Sequence, residues 1–280
     1  MRGDDIDALN GALRARFGED LSGPWPDEAS AGLTSLAAHS VHREFTDKPV
    51  DMNLLRRLCA LALSSPSKSD LQQRDIVIVQ DADLRARIAG LMPQYPWVAT
   101  APAMVIVCLN ARRLPQLARW RGKPFPNDHA DLLFNATGDA AIALAWLQAA
   151  VDLAGLGGCP VSEIRNHAAL ISDWLGLPDK VAPYAGFCLG WPARSATITR
   201  RLPLRATVHV DRFDDSDARS QIDDYDAARA QASPVRRQRL ADVWGEAAVY
   251  GWSEDKARQY SEPLRADFGA YLRARGFDMT

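Results

Sequence analysis

Three potential cations, His39, His42 and Arg43, fall within five residues of one another, just before Phe45, Thr46 and an Asp47-Lys48-Pro49 turn. Such a cluster either lies solvated on the surface or waits for an anion. A second basic segment, Arg194, Arg200 and Arg201 ahead of Leu202-Pro203, poses the same choice. Arginines of this kind usually end in a solvated loop, and form an anion clamp only when another basic segment meets them. A guanidinium suits that work because it grips a phosphate through two parallel N–H donors. The polar run 64–75 holds Ser64, Ser65, Ser67 and Ser69 with Asp70 and Gln72. Read one way, these residues cap a helix and make a turn. Read the other way, hydroxyls and an amide that both donates and accepts converge on a polar, planar ligand. The residues alone favour neither.

Other groupings carry less. Gly155, Gly157 and Gly158 lack the G-x-G-x-x-G spacing and the strand-first context of a dinucleotide fingerprint. They read as a helix end followed by a tight entry into a strand. Asp128, His129 and Asp131 sit where caps and first-turn carboxylates belong, so no metal site is assigned. His209 reads as a packed or solvent-edge histidine. No G-x-S-x-G or H-E-x-x-H occurs, no nucleophile–base arrangement has local support, and no catalytic side chain is assigned.

The elements that must position these groups follow from periodicity. Residues 6–17 form an amphipathic helix, ended by Gly23-Pro24-Trp25-Pro26. Asp51 caps a helix over 52–64 whose apolar face holds Leu54, Leu55, Leu58 and Leu61. Residues 76–79 form a short strand, 82–91 a helix, and 104–109 a continuously apolar strand of the kind that lies centrally in a covered sheet. Asn127 or Asp128 caps a long helix from 131 to 154, on the order of 36 Å at 1.5 Å per residue. Its middle is apolar almost all the way round, so its own sheet or another subunit must enclose it. Asn166 caps a helix over 167–175, and residues 184–189 form a further buried strand. After residue 213 the composition turns polar and reads as helical excursions. Strands and helices mixed without a strict βαβ rhythm favour α+β.

Composition narrows the partners. A net charge of −2 lacks the basic excess that nucleic acid or a membrane surface demands. The most apolar segment, 140–151, falls short of the roughly 20 residues of a membrane span, and the N-terminal residues lack a signal peptide's apolar core. Cys59, Cys108, Cys159 and Cys188 are widely spaced beside apolar runs, which points to buried free thiols in a reducing, cytoplasmic setting.

Taken in order, the segments 39–50, 65–72, 155–166 and 189–204 resemble the FMN-dependent nitroreductase family, most nearly its NADPH-dependent, oxygen-insensitive nitroreductase and flavin reductase branch. The resemblance covers roughly 35–213 and continues faintly through 223–231 and 251–277. The family's His-Arg-Ser-x-Arg-x-Phe-Thr pattern, which holds the FMN phosphate, falls on His39, Arg43, Phe45 and Thr46, with Ser40 in place of the first arginine and Val41 in place of the serine. Its Lys-x-Arg-Leu-Pro falls on 199–203, where Arg201 keeps the arginine and Thr199 replaces the lysine. The resemblance therefore implies that His39, Ser40, Arg43, Thr199 and Arg201 line the phosphate, while His42 has no assigned partner. It places Ser67, Lys68, Ser69, Asp70 and Gln72 along the ribityl chain and ring, with Lys68 either beside the ring's pyrimidine edge or turned to solvent. Gly157 and Gly158 line the ring backbone-first.

What the resemblance implies for the whole is a nitroreductase-like α+β fold: a central, mainly antiparallel sheet wrapped by helices in an intertwined homodimer. Residues 1–34 form an N-terminal arm, 35–213 the FMN-binding domain, and 214–280 a C-terminal helical excursion. The expected activity takes hydride from NADPH or NADH at flavin N5 and passes it to a small-molecule acceptor (nitroaromatic, quinone or flavin) in a ping-pong cycle. The alternatives are an FMN-dependent dehydrogenase or desaturase of one metabolite, and a non-catalytic FMN-binding protein. Arg236 and Arg237 are expected to give a modest preference for NADPH.

Overall fold

The computed structural model describes residues 3–21, 23, 25–26, 32–232, 235 and 237–280. Along the chain run α1 (Gly3–Phe17), α2 (Gly32–Ala38), α3 (Met52–Leu63), β1 (Arg74–Ile78), α4 (Ala82–Gly90), α5 (Trp97–Thr100) and β2 (Ala103–Asn110). Next come α6 (Arg113–Trp120), α7 (Ala130–Leu153), β3 (Gly157–Val161), α8 (Ala168–Trp174) and β4 (Val181–Gly190). The last four are α9 (Ala218–Ala232), α10 (Ala241–Trp244), α11 (Trp252–Gln259) and α12 (Phe268–Ala274). These residues divide into a helical unit, 1–40 with 197–264, and a sheet unit, 41–196 with 265–280.

In the sheet unit the strand order is β1-β2-β4-β3, antiparallel at every pairing. β2 is buried along its whole length, as a continuous apolar run in a doubly covered sheet must be. Its side chains divide between two faces by the period of two. Val105, Val107 and Leu109 join α3, α7 and α12 in one core. Met104, Ile106 and Cys108 join α4 and α8 in the other. Asp51 caps α3, accepting from Asn53 N at 3.0 Å and Leu54 N at 3.1 Å. All four cysteines are free and buried, and burial pushes the thiol of Cys59 up to about 11 and those of Cys108 and Cys188 up to about 12.

Two helix caps differ from the expectation. Neither Asn127 nor Asp128 caps α7. The chain becomes extended one residue later, at His129, whose Nδ1 accepts from Asp131 N, while Asp128 pairs with Lys180 at 2.7 Å. Nor does Asn166 cap α8: residues 162–167 form a 3₁₀ turn in which Asn166 donates to Glu163 at 2.6 Å, and α8 begins at Ala168. The long helix is also not enclosed by its own chain, since Phe134 is 77% exposed, Trp146 45% and Leu153 57%. No helix among the described residues is long and apolar enough to cross a membrane.

The helical unit is held by polar ties as much as by apolar packing. Tyr225 on α9 meets Trp252 edge-to-face and donates to the carbonyl of Arg200 at 3.1 Å. Asp226 accepts from Ser253 N at the start of α11.

Candidate functional site

Within the sheet unit, the 67–72 loop turns through three left-handed residues, Ser69, Asp70 and Gln72, with φ of 50°, 58° and 53°. Such a run is unfavourable for side-chain-bearing residues and needs outside support. Asp139, in the middle of α7, supplies it. Its carboxylate accepts from Ser67 Oγ at 2.7 Å, Lys68 N at 3.2 Å and Gln73 N at 2.7 Å, and pairs with Arg74 at 3.4 Å. Both members of that pair are almost fully buried. Arg74 also donates to the carbonyls of Leu63 and Ser65, each at 2.9 Å. Sequence reasoning missed Asp139. The signal was its solitude as the only charged residue between Leu132 and Val151.

The same loop uses much of its own polarity internally. Ser67 Oγ accepts from Gln72 N at 2.7 Å while donating to Asp139, and Gln72 Nε2 donates to Asp70 at 2.9 Å. Arg113 donates to the carbonyl of Gln72. Lys68, Ser69, Asp70 and Gln72 are exposed.

The glycines of β3 have packing reasons of their own. His42 donates its backbone N–H to the carbonyl of Gly158 at 3.0 Å, and its ring covers Gly157, where a Cβ would overlap it. That gives His42 the partner it lacked. A Cβ at Gly158 would overlap the fully buried ring of Phe187. Arg43 lies with its guanidinium carbon 5.8 Å from the centre of the Trp97 ring. Its charge pulls the Cys159 thiol down, but burial is the larger effect and leaves that thiol raised.

Within the helical unit, the structure gathers His39, Ser40, Thr199 and Arg201. Ser40 Oγ donates to the carbonyl of Thr197 at 3.0 Å. Arg201 Nη1 donates to Thr199 Oγ1 at 2.8 Å, and its backbone N–H donates to the carbonyl of Arg16 at 2.8 Å. Arg16, Arg201 and His39 sit on a cavity of about 450 Å³ whose other walls include Leu9, Leu13 and Leu36. Among the described residues no carboxylate meets either guanidinium. A second cavity of the same unit, about 730 Å³, is polar and holds Arg237 with Arg239, Glu246 and Asp255. Arg236 lies outside the described residues.

The model of the Nitroreductase family matches residues 36–191, and that of the family's C-terminal domain matches 200–280. This chain belongs to the nitroreductase family. Among the nitroreductase relatives it is 28% identical over 250 residues to the FMN reductase [NAD(P)H] of Bacillus subtilis, covering 88% of this chain and 97% of that one. It is 30% identical to the oxygen-insensitive NADPH nitroreductase of Salmonella typhimurium over 78% of this chain and 89% of the relative. The solved structure of NfrA2 from B. megaterium superposes with a TM-score of 0.80 at 26% identity, covering 90% of this chain and all of that one. The fold is therefore nitroreductase-like, an antiparallel sheet with many helices.

Proposed function

We propose that this nitroreductase is an FMN-dependent NAD(P)H oxidoreductase that passes reducing equivalents to a small-molecule acceptor such as a nitroaromatic, a quinone or a flavin. The observation that carries this is the family match across 36–191 and 200–280. The donor chemistry of the chain fits the cofactor. In the helical unit, Arg201 offers a guanidinium that meets no carboxylate among the described residues, on one cavity with the imidazole of His39 and hydrogen-bonded to the hydroxyl of Thr199, while Ser40 donates to the carbonyl of Thr197; the set suits a terminal phosphate. In the sheet unit, the Asp139-held loop presents Lys68, Ser69, Asp70 and Gln72 at the surface, which suits the polar edge of a planar ring. The family pattern gives Arg43 to the phosphate, and Ser67, Gly157 and Gly158 to the ribityl chain and ring. FMN, when bound, supplies the hydride chemistry, so the side chains need only bind, orient and exclude water. In the same reading residues 35–213 carry the cofactor, 1–34 form an arm and 214–280 a helical excursion. The cytoplasm, which keeps thiols reduced, suits the four free cysteines.

The purified protein is expected to be yellow, to release FMN rather than FAD on denaturation, and to consume NADPH in the presence of a quinone. A colourless preparation that ignores added FMN would overturn the reading, and bound FMN without turnover would reduce it to a binding protein.

The exposed stripe of Phe134, Trp146 and Leu153 on α7 is covered, in this reading, by a second copy of the chain. Light scattering at micromolar concentration is expected to give twice the 30.7 kDa chain mass, and Trp146→Glu to lower it. A wild-type monomer at that concentration would exclude the assembly.

A further inference from the structure

Residues 1–35 lie outside both ranges matched by the family models, yet α1 places one of its arginines on the cavity that His39 and Arg201 also line. Arg14 and Arg16 differ only by their position on that helix. Arg14 is exposed and pairs with Asp20 at 3.0 Å, an ordinary surface contact. Arg16 is 6% exposed, and among the described residues it meets no carboxylate. A buried charge is tolerated only when hydrogen bonds replace its water. Here backbone carbonyls do so: Nε and Nη2 donate to Ala37 at 3.3 and 3.0 Å, Nη2 also to His39, and Nη1 to Thr199 at 2.8 Å.

The choice of carbonyls is informative. Residues 37–39 and 199–201 are the two segments that carry His39, Thr199 and Arg201. Their carbonyl oxygens bear partial negative charge, and any of them turned toward a phosphate would repel it. Arg16 draws three of them to itself, and its own carbonyl fixes the backbone of Arg201. Four of the five guanidinium N–H groups are then engaged, which no lysine could reproduce. Among the described residues that line this cavity, the permanent positive charges are Arg16 and Arg201. The two repel each other: burial first, and then the charge of Arg201, lowers the pKa of Arg16. Like charges held together, with no carboxylate meeting either among the described residues, are relieved by an anion.

We propose that Arg16 is a positioning residue for the cofactor phosphate, supplied by the N-terminal helix, which gathers 37–39 and 199–201 around one anion and adds the second permanent charge. This rests on the reading of His39, Thr199 and Arg201 as the phosphate end of an FMN site. The test titrates the full-length protein with FMN and with riboflavin, which differs by lacking the phosphate, following quenching of flavin fluorescence. Wild type is expected to prefer FMN. Arg16→Ala is expected to weaken FMN by about tenfold or more while moving riboflavin by less than about twofold. A merely structural loss would weaken both flavins alike. Arg16→Lys keeps the charge but not the fork, and is expected to lose most of the preference as well; it carries the test alone if the alanine variant does not fold. Full FMN preference in Arg16→Lys would overturn the positioning role. Loss of the preference in Arg201→Ala but not in Arg16→Ala would overturn the inference and leave the phosphate site standing. A wild type that does not distinguish the flavins, or an Arg201→Ala that keeps the preference, would overturn the phosphate site and the inference with it.

Discussion

Replacing Asp139 with alanine is expected to destabilise the protein by about 3–5 kcal/mol, the range for breaking a buried ion pair from one side. The substitution leaves the Arg74 guanidinium buried with no counter-charge, and removes the acceptor of Ser67 Oγ, Lys68 N and Gln73 N at one stroke. Urea unfolding read by far-ultraviolet circular dichroism measures it, and a loss below about 1 kcal/mol, the scale of a solvent-exposed pair, would contradict the assignment. A second variant separates charge from loop support. Replacing buried pairs by apolar residues of similar volume is often neutral. Arg74→Leu combined with Asp139→Leu is nevertheless expected to remain clearly destabilised, because two backbone N–H groups still lose their acceptor. With the loop unsupported, the left-handed residues 69, 70 and 72 lose what holds them, so limited proteolysis is expected to cut there first.

Gly158→Ala is expected to cost about 1–3 kcal/mol, since the added methyl group overlaps a ring in a close-packed core. Phe187 is fully buried between β2 and β3 on the central strand β4, and has little room to give way. Phe187→Leu in the Gly158→Ala background is expected to recover part of the loss, with a coupling of about 0.5–3 kcal/mol in a double-mutant cycle. Strictly additive losses would mean that the glycine answers to something other than Phe187. The outcome bears on how glycines near a ligand are read, because a residue kept small for its neighbour looks in the sequence like one kept small for a cofactor.

Much of the fold was legible because its signals are local. The apolar run of β2, the alternating face of α3 behind Asp51 and the apolar length of α7 each announce their element within about a dozen residues. The helix starts at Ala130 and Ala168 were not, since a cap depends on where the backbone becomes extended, and Asp128 instead pairs with Lys180, 52 residues away. Asp139 was hidden inside an apolar helix, and what it does is written in the residues 67–74 that reach it. Arg14 and Arg16 have the same side chain two positions apart. Only tertiary packing makes one a solvated ion and the other the hub of four hydrogen bonds.

That hub also has a history in time. Arg16 leaves the ribosome 183 residues before Thr199, the carbonyl its Nη1 finally meets. At about 5–20 residues per second this is an interval on the order of ten seconds or more, during which α1 has no completed unit to join. A charged side chain among Leu9, Leu13 and Phe17 then keeps its water, and the nascent helix stays amphiphilic rather than committed. Closing the helical unit is thus a late event in biosynthesis. A sequence change that slows translation between 17 and 199 lengthens the exposure of those apolar residues to chaperones without altering the final protein.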